Sequence, residues 1–197
     1  MAKKSTQRAS TDKRVIKTKA ILRDSLITLL ERKPLKQISV TELTELADVN
    51  RSTFYFYYDD IYDMVDKMLG DIYETHLTPL INNAGNFTRT GDYATFLVGF
   101  LDFCKNNSRI VTVIVNNDIG HTFTNKLIAD IRNSIPDSAK HYSNDTSKYY
   151  LTTFALNAIL GTIYQWIRDG MKVPSIEMAL FVSEMYFLGA KYQKSKE

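Results

Sequence analysis

The stretch Ser39–Tyr58, SVTELTELADVNRSTFYFYY, restricts the fold more than any other part of the chain. Val40, Leu43, Leu46 and Ala47 recur at helical spacing, which predicts a short amphipathic helix. Ser39 stands where an N-cap belongs and Glu42 follows three residues on, the pattern of a capping box. Asp48-Val49-Asn50 then interrupts the run, and Asn50 is a good N-cap for a second helix over Arg51–Tyr57. Two helices separated by so short a turn fit the helix-turn-helix with which proteins read DNA. The second helix suits neither a core nor a solvated surface. Arg51, Ser52, Thr53, Tyr55 and Tyr57 carry donors, while Phe54 to Tyr58 are aromatic without a break.

Charge supports the same reading. The net charge is only +3, but residues 1–58 hold 12 Lys/Arg against 6 Asp/Glu, and residues 59–197 hold 13 against 16. A basic N-terminal part on a mildly acidic remainder is the footprint of a protein whose first part meets a polyanion. At 197 residues, 44% of them hydrophobic, the chain can bury a real core. No apolar run approaches the ~18 residues that span a bilayer, so no membrane partner is expected. The N-terminus lacks the apolar segment of a secretory signal. The lone Cys104 forms no internal disulfide, and a reducing cytoplasm is the simplest location.

Along the chain the periodicity is helical throughout. Residues 1–13 have little to bury and read as a disordered basic arm, with Lys3, Lys4, Arg8 and Lys13 either trailing along phosphates or simply solubilising. Arg14–Arg32 forms a first helix with Leu22, Leu26, Leu29 and Leu30 on one stripe, ended by Pro34. A DNA-binding domain over residues 14–59 follows from these three helices. Residues 60–197 are expected to form a helical domain for effector binding and dimerisation. Its first helix carries Ile61, Met64, Val65, Met68, Leu69, Ile72 and His76 in one stripe, with a kink at Pro79 and a loop over Asn82–Gly91. A helix that starts directly after the DNA-reading unit would move it when tilted.

Asp92 caps the next helix, to about Asn106. Ser108–Asn116 is β-branched, but a lone strand would have no partner, so a short buried helix is expected. Further helices cover Ile119–Ile135, Ser147–Asp169 and Ser175 to about Tyr192, the last two joined at Gly170 and Pro174, with Ser175 as a cap. The last helix is apolar nearly all round, with Ile176, Leu180 and Phe187 on one face and Phe181, Met185 and Leu188 on another. A terminal helix of this kind needs cover on all sides. An isologous homodimer, with two helices from each subunit in a four-helix bundle, supplies it; the alternative is a central core helix in a monomer.

Residues 22–69 resemble the DNA-binding domain of the TetR family of transcriptional regulators. The most specific part is V-T-x-L-x-x-x-A-x-V-x-R-x-T-F-Y, from Val40 to Tyr55. The run RSTFYFYYDDIYDM further resembles a subgroup that includes activators of dihydroxyacetone kinase operons. The resemblance implies an all-α protein, a homodimer on a palindromic double-stranded operator, acting as a repressor or an activator. Arg51 and Ser52 would face base edges, Arg51 by a bidentate contact to guanine. Thr41, Thr53, Tyr55 and Tyr57 would bind phosphates through hydroxyls, and Phe56 would pack on a thymine methyl or sugar. Phe54 and Val49 should be core. The chain departs from the family pattern at Asp48, where Gly is usual, at Tyr57, where His is frequent, and at Ile61, where Lys is common.

No metal, cofactor or catalytic constellation stands out. His76, His121 and His141 lack ligand spacing, and no phosphate-binding Gly-rich loop, nucleophile elbow or CxxC is present. An effector cavity in the helical domain would draw on Tyr73, Phe100, Cys104, Tyr150, Phe154, Asn157 and Trp166, with a small molecule or a protein partner as effector.

Overall fold

The computed structural model describes residues 2–83, 90–117, 119–134 and 145–194, and every regular element among them is helical. The chain divides into two compact units, Met1–Asp71 and Ile72–Glu197.

In the first unit α1 spans Ala2–Leu30, α2 Val40–Leu46, α3 Arg51–Tyr57 and α4 Ile61–Ile72. The segment expected as a disordered arm is helical in backbone from Ala2, because no Gly or Pro interrupts α1 before Pro34. Pro34 leads into a 3-10 turn, Leu35–Gln37. The caps act as the sequence implies. Ser39 Oγ accepts the Glu42 N–H at 3.2 Å, and Asn50 Oδ1 accepts the Ser52 N–H at 3.0 Å. Only half of the capping box forms, since the Glu42 carboxylate pairs with Lys33 at 2.5 Å rather than turning back to Ser39. Asp48 takes the left-handed conformation, φ 50°, that glycine supplies in the family pattern.

Leu22, Leu26, Leu43, Phe54 and Met64 are the largest fully buried side chains of this unit. α4 contributes Ile61, Met64, Val65, Met68 and Leu69 to the buried set. The units therefore divide at the end of α4, where the sequence placed the division at its start. Ile61 is itself buried, so no side chain at this position projects toward a phosphate.

In the second unit a wide π turn, Tyr73–Leu77, continues from α4 into α5, Thr78–Asn83. Pro79 has no N–H for the helical ladder, and the wide turn immediately precedes it. The extra residue shifts the register. Tyr73, Leu77 and Ile81 turn inward, while His76, expected on the buried stripe, is exposed. α6 spans Thr90–Asn106, α7 Ser108–Asn116, α8 Ile119–Ser134, α9 Asp145–Arg168 and α10 Ser175–Lys194. In α7, Ile110, Val111, Val113 and Ile114 bury at helical spacing, so packing overrides the β propensity of the run. α6 begins at Thr90, ahead of the expected cap Asp92. Ser175 does not cap α10 either: its buried Oγ has no hydrogen-bond partner.

The turn between α9 and α10 is a Schellman motif. Gly170 and Met171 both have positive φ, 81° and 55°. The Met171 N–H bonds Trp166 O at 2.9 Å and the Gly170 N–H bonds Ile167 O at 3.0 Å. Trp166 Nε1 donates to Val173 O at 3.0 Å and pins the turn.

Substituting Phe54→Ala should cost the first unit ~3–5 kcal/mol, a core truncation. Phe56→Ala should stay within ~0.5 kcal/mol, as surface changes do. Urea denaturation of the full chain checks both values.

Candidate nucleic-acid interface

The aromatic run of α3 sorts by helical position. Phe54 is fully buried and Tyr58, four residues on, is 8% exposed, with ring centroids 5.5 Å apart. These two anchors turn the other face outward. Phe56 is 79% exposed and Tyr55 is 50% exposed. Arg51, Ser52 and Thr41 are exposed as well, and Thr53 and Tyr57 are half-buried. All seven residues expected to meet DNA thus have accessible surface. Val49, expected in the core, is half-buried.

The Ser52 Oγ donates to Asn50 Oδ1 at 3.0 Å, which holds the hydroxyl at the start of α3. A cleft of about 400 Å³ between α2 and α3 is lined by Thr41, Thr44, Glu45, Asp48, Val49, Asn50 and Arg51. The Thr44 hydroxyl is used internally, donating to Val40 O at 2.8 Å. Glu45, Asp48 and Arg51 thus line the same cleft.

Two lysines not foreseen as functional bracket Tyr57. Lys19 Nζ lies 5.6 Å from the centroid of its ring. Lys67 Nζ donates to Tyr57 O at 3.3 Å and pairs with Asp63 at 2.8 Å. The hydrogen bond from Lys67, then the Asp59 N–H, hold the Asp63 carboxyl below the usual carboxylate range. For Lys67 the i,i+4 spacing from Asp63 was the visible signal. For Lys19 no local pattern gave the contact with α3. Burial, then the carboxylates of Asp71 and Asp63, push the Tyr58 phenol pKa up.

The residues expected to form an effector cavity are not brought together. Tyr73, Cys104 and Trp166 are buried and Phe100 is half-buried. Tyr150, Phe154 and Asn157 are instead exposed along one side of α9. Burial pushes the Cys104 thiol up to about 12, so it stays protonated. Tyr73, alone of the seven, lines a surface cleft of about 260 Å³ together with Thr78, Ile81, Asn82, Asp130 and Asn133.

A polar cluster stands at that cleft. The Tyr73 hydroxyl donates to Asp130 at 2.5 Å, and Lys126 pairs with the same carboxylate at 2.7 Å. Lys126 Nζ also lies 3.7 Å from the Tyr73 ring centroid. The Lys126 and Tyr73 hydrogen bonds depress the Asp130 pKa, while burial, then Asp130, raise that of Tyr73. Asp130 and Lys126 read in sequence as an ordinary solvated pair, which hid the cluster.

Of the expected dimer residues, Phe181 and Met185 are about half exposed, beside Ile176 and Leu180. The side chain of Leu188 lies outside the described residues, as do those of His121 and His141. Among the described residues no group of acidic, His and Cys side chains could hold a metal, and no helix is long and apolar enough to cross a membrane.

The chain has an N-terminal helix-turn-helix followed in sequence by an all-helical unit. Residues 92–187 match the TetR-type model described as "Transcriptional regulator C-terminal region". No protein of curated function gives a significant match to the sequence. Among solved structures, a TetR transcriptional regulator from Streptococcus agalactiae is 20% identical, with a TM-score of 0.63 over 91% of this chain and 98% of that one. A TetR-family regulator from Streptomyces coelicolor is 14% identical, with a TM-score of 0.64 over 92% and 83%. The dihydroxyacetone kinase operon activator DhaS is 15% identical, with a TM-score of 0.56 over 90% and 98%. These likenesses speak for the fold. Residues 92–187 thus match a transcriptional regulator C-terminal region, and the chain shares the fold of the TetR-family regulators it is similar to.

Because the Asp130 pKa is lowered in the folded state, its stabilisation is complete above the unfolded value of 3.8 and is lost as pH falls through the folded value. Tyr73→Phe should therefore cost ~1–2 kcal/mol at neutral pH. The difference from wild type should narrow as Asp130 protonates in acid, as read from urea melts across that range.

Proposed function

We propose that this regulator binds a palindromic operator as a homodimer through α3, with an affinity set by an effector on residues 72–197. The observation that carries the DNA reading is the exposure of Phe56 and Tyr55 on a helix whose Phe54 and Tyr58 are buried. Leaving two large aromatics in water is unfavourable unless a partner covers them. In this reading Arg51 and Ser52 read base edges, while Thr41, Thr53, Tyr55 and Tyr57 fix register on phosphates. Phe56 packs on a thymine methyl or sugar.

Dimerisation is supported by the exposed Tyr150 and Phe154 of α9 and Ile176, Leu180, Phe181 and Met185 of α10. Two copies of these faces form a four-helix bundle, and twofold symmetry makes the operator a palindrome. The two recognition helices then meet successive major grooves about 34 Å apart. An effector that prefers one spacing changes DNA affinity only by its differential binding to the two states. The cleft at Tyr73 and Asp130 is the place for it. Control by a docking protein is the second reading, favoured by the cleft opening at the surface rather than being enclosed.

Arg51→Ala should lose ~1–3 kcal/mol of binding to the specific site and little on random duplex, measured by fluorescence anisotropy. Equal loss on both would remove Arg51 from base reading. Sedimentation equilibrium at micromolar concentration should give twice the mass of one chain, and Phe181→Asp with Met185→Asp should give monomer. A monomeric wild type would refute the dimer.

A further inference from the structure

One ion pair ties the end of α3 to α4. α3 ends at Tyr57 and α4 begins at Ile61. The Tyr57 carbonyl belongs to the last turn of α3, whose carbonyls have no partner within the helix. Lys67, in the second turn of α4, donates from Nζ to Tyr57 O at 3.3 Å. The same ammonium pairs with Asp63 Oδ2 at 2.8 Å and lies 5.6 Å from the centroid of the buried Tyr58 ring. Asp63 Oδ2 in turn accepts the Asp59 N–H at 2.9 Å, and the Asp63 N–H donates to Asp60 Oδ1 at 2.8 Å.

An i,i+4 pair on an exposed helix face ordinarily holds only its own helix and adds little to stability. Asp63 and Lys67 differ in what else they hold. The carboxylate takes a backbone N–H of the connecting segment, and the ammonium takes a backbone carbonyl of α3. A cation at a helix C-terminus is also favoured by the helix dipole. The other supports of α3 act differently. Asn50 caps its N-terminus from within the same segment, and Phe54 and Tyr58 decide which face is buried. Apolar packing of that kind is non-directional, whereas hydrogen bonds weaken steeply when misaligned.

We propose that Lys67, held by Asp63, is a positioning residue for operator recognition. It fixes the pitch of α3 against α4, and so the place of Arg51 and Ser52 relative to base edges. This rests on the DNA-binding reading given above. In this role Lys67 touches neither base nor phosphate and acts through the Tyr57 carbonyl.

The test uses the full chain with three substitutions. Lys67→Met keeps an apolar stem beside Tyr58 and removes the donor, Lys67→Arg keeps a cationic donor, and Asp63→Asn removes the charge that holds the ammonium. Fluorescence anisotropy gives affinity for the specific site and for random duplex across a salt series, at a temperature where circular dichroism shows each variant folded. Lys67→Met and Asp63→Asn should each bind the specific site about tenfold more weakly, the worth of one good base contact, with random-duplex binding and its salt slope close to wild type. The double variant should lose no more than either single one, since the two side chains act as a unit. Lys67→Arg should keep the preference for the specific site; a loss equal to that of Lys67→Met would overturn the proposal. Wild-type preference in either Lys67→Met or Asp63→Asn would also overturn it, while leaving the DNA-binding function intact. Equal loss on both duplexes, with the salt slope reduced by ~0.9, would overturn it by making Lys67 a phosphate contact. Where Lys67→Met does not fold, Asp63→Asn decides by the same readings. Absence of duplex binding by the wild type would overturn both this role and the function on which it rests.

Discussion

The burial of Phe54 is the constraint on which the exposed face of α3 depends. A helix of seven residues has no stability of its own in water. α3 is held by its Asn50 cap and by Phe54 and Tyr58, which enter the core one turn apart. With those two positions fixed, the phase of the helix is fixed, and Arg51, Tyr55 and Phe56 have only the outside left to them. The exposed face of α3 is thus a consequence of core packing, presented on a rigid support.

Residue patterns that act locally were legible in the sequence. The caps Ser39 and Asn50 and the bounds of α2 and α3 follow from chemistry within a few residues of each position. What the sequence hid depends on distant partners. Tyr58 looks like its aromatic neighbours until Phe54 draws it inward. The stripe on α4 reads through to His76 because nothing local marks the extra residue of the π turn, although Pro79 hints at a break. Tyr150, Phe154 and Asn157 lie exposed on α9, and aromatic content alone does not say which helix faces are buried. Asp130 gives no signal in the sequence, since its pairing with Lys126 has the spacing of a routine helix-surface contact.

The second unit combines a filled interior with a polar cleft. Tyr73, Leu77, Ile81, Leu127 and Leu160 are buried together, with Phe100, Phe103 and Phe123 packed against them. The Tyr73 ring belongs to this core, while its hydroxyl reaches the cleft and Asp130. A ligand that competes for the Asp130 carboxylate would act on a side chain whose ring is a core element, and would do so at the π turn that begins directly after α4. Coupling through such a residue needs only that the ligand prefer one arrangement of the turn.

The central claim is that this chain reads DNA with two symmetry-related copies of α3. Selection of bound duplexes from a random pool by the full-length protein tests it most directly. The account predicts enrichment of an inverted repeat whose half-sites are centred about one helical turn, or a multiple of it, apart. Enrichment of a single unrepeated site, or no enrichment above the starting pool, would contradict it.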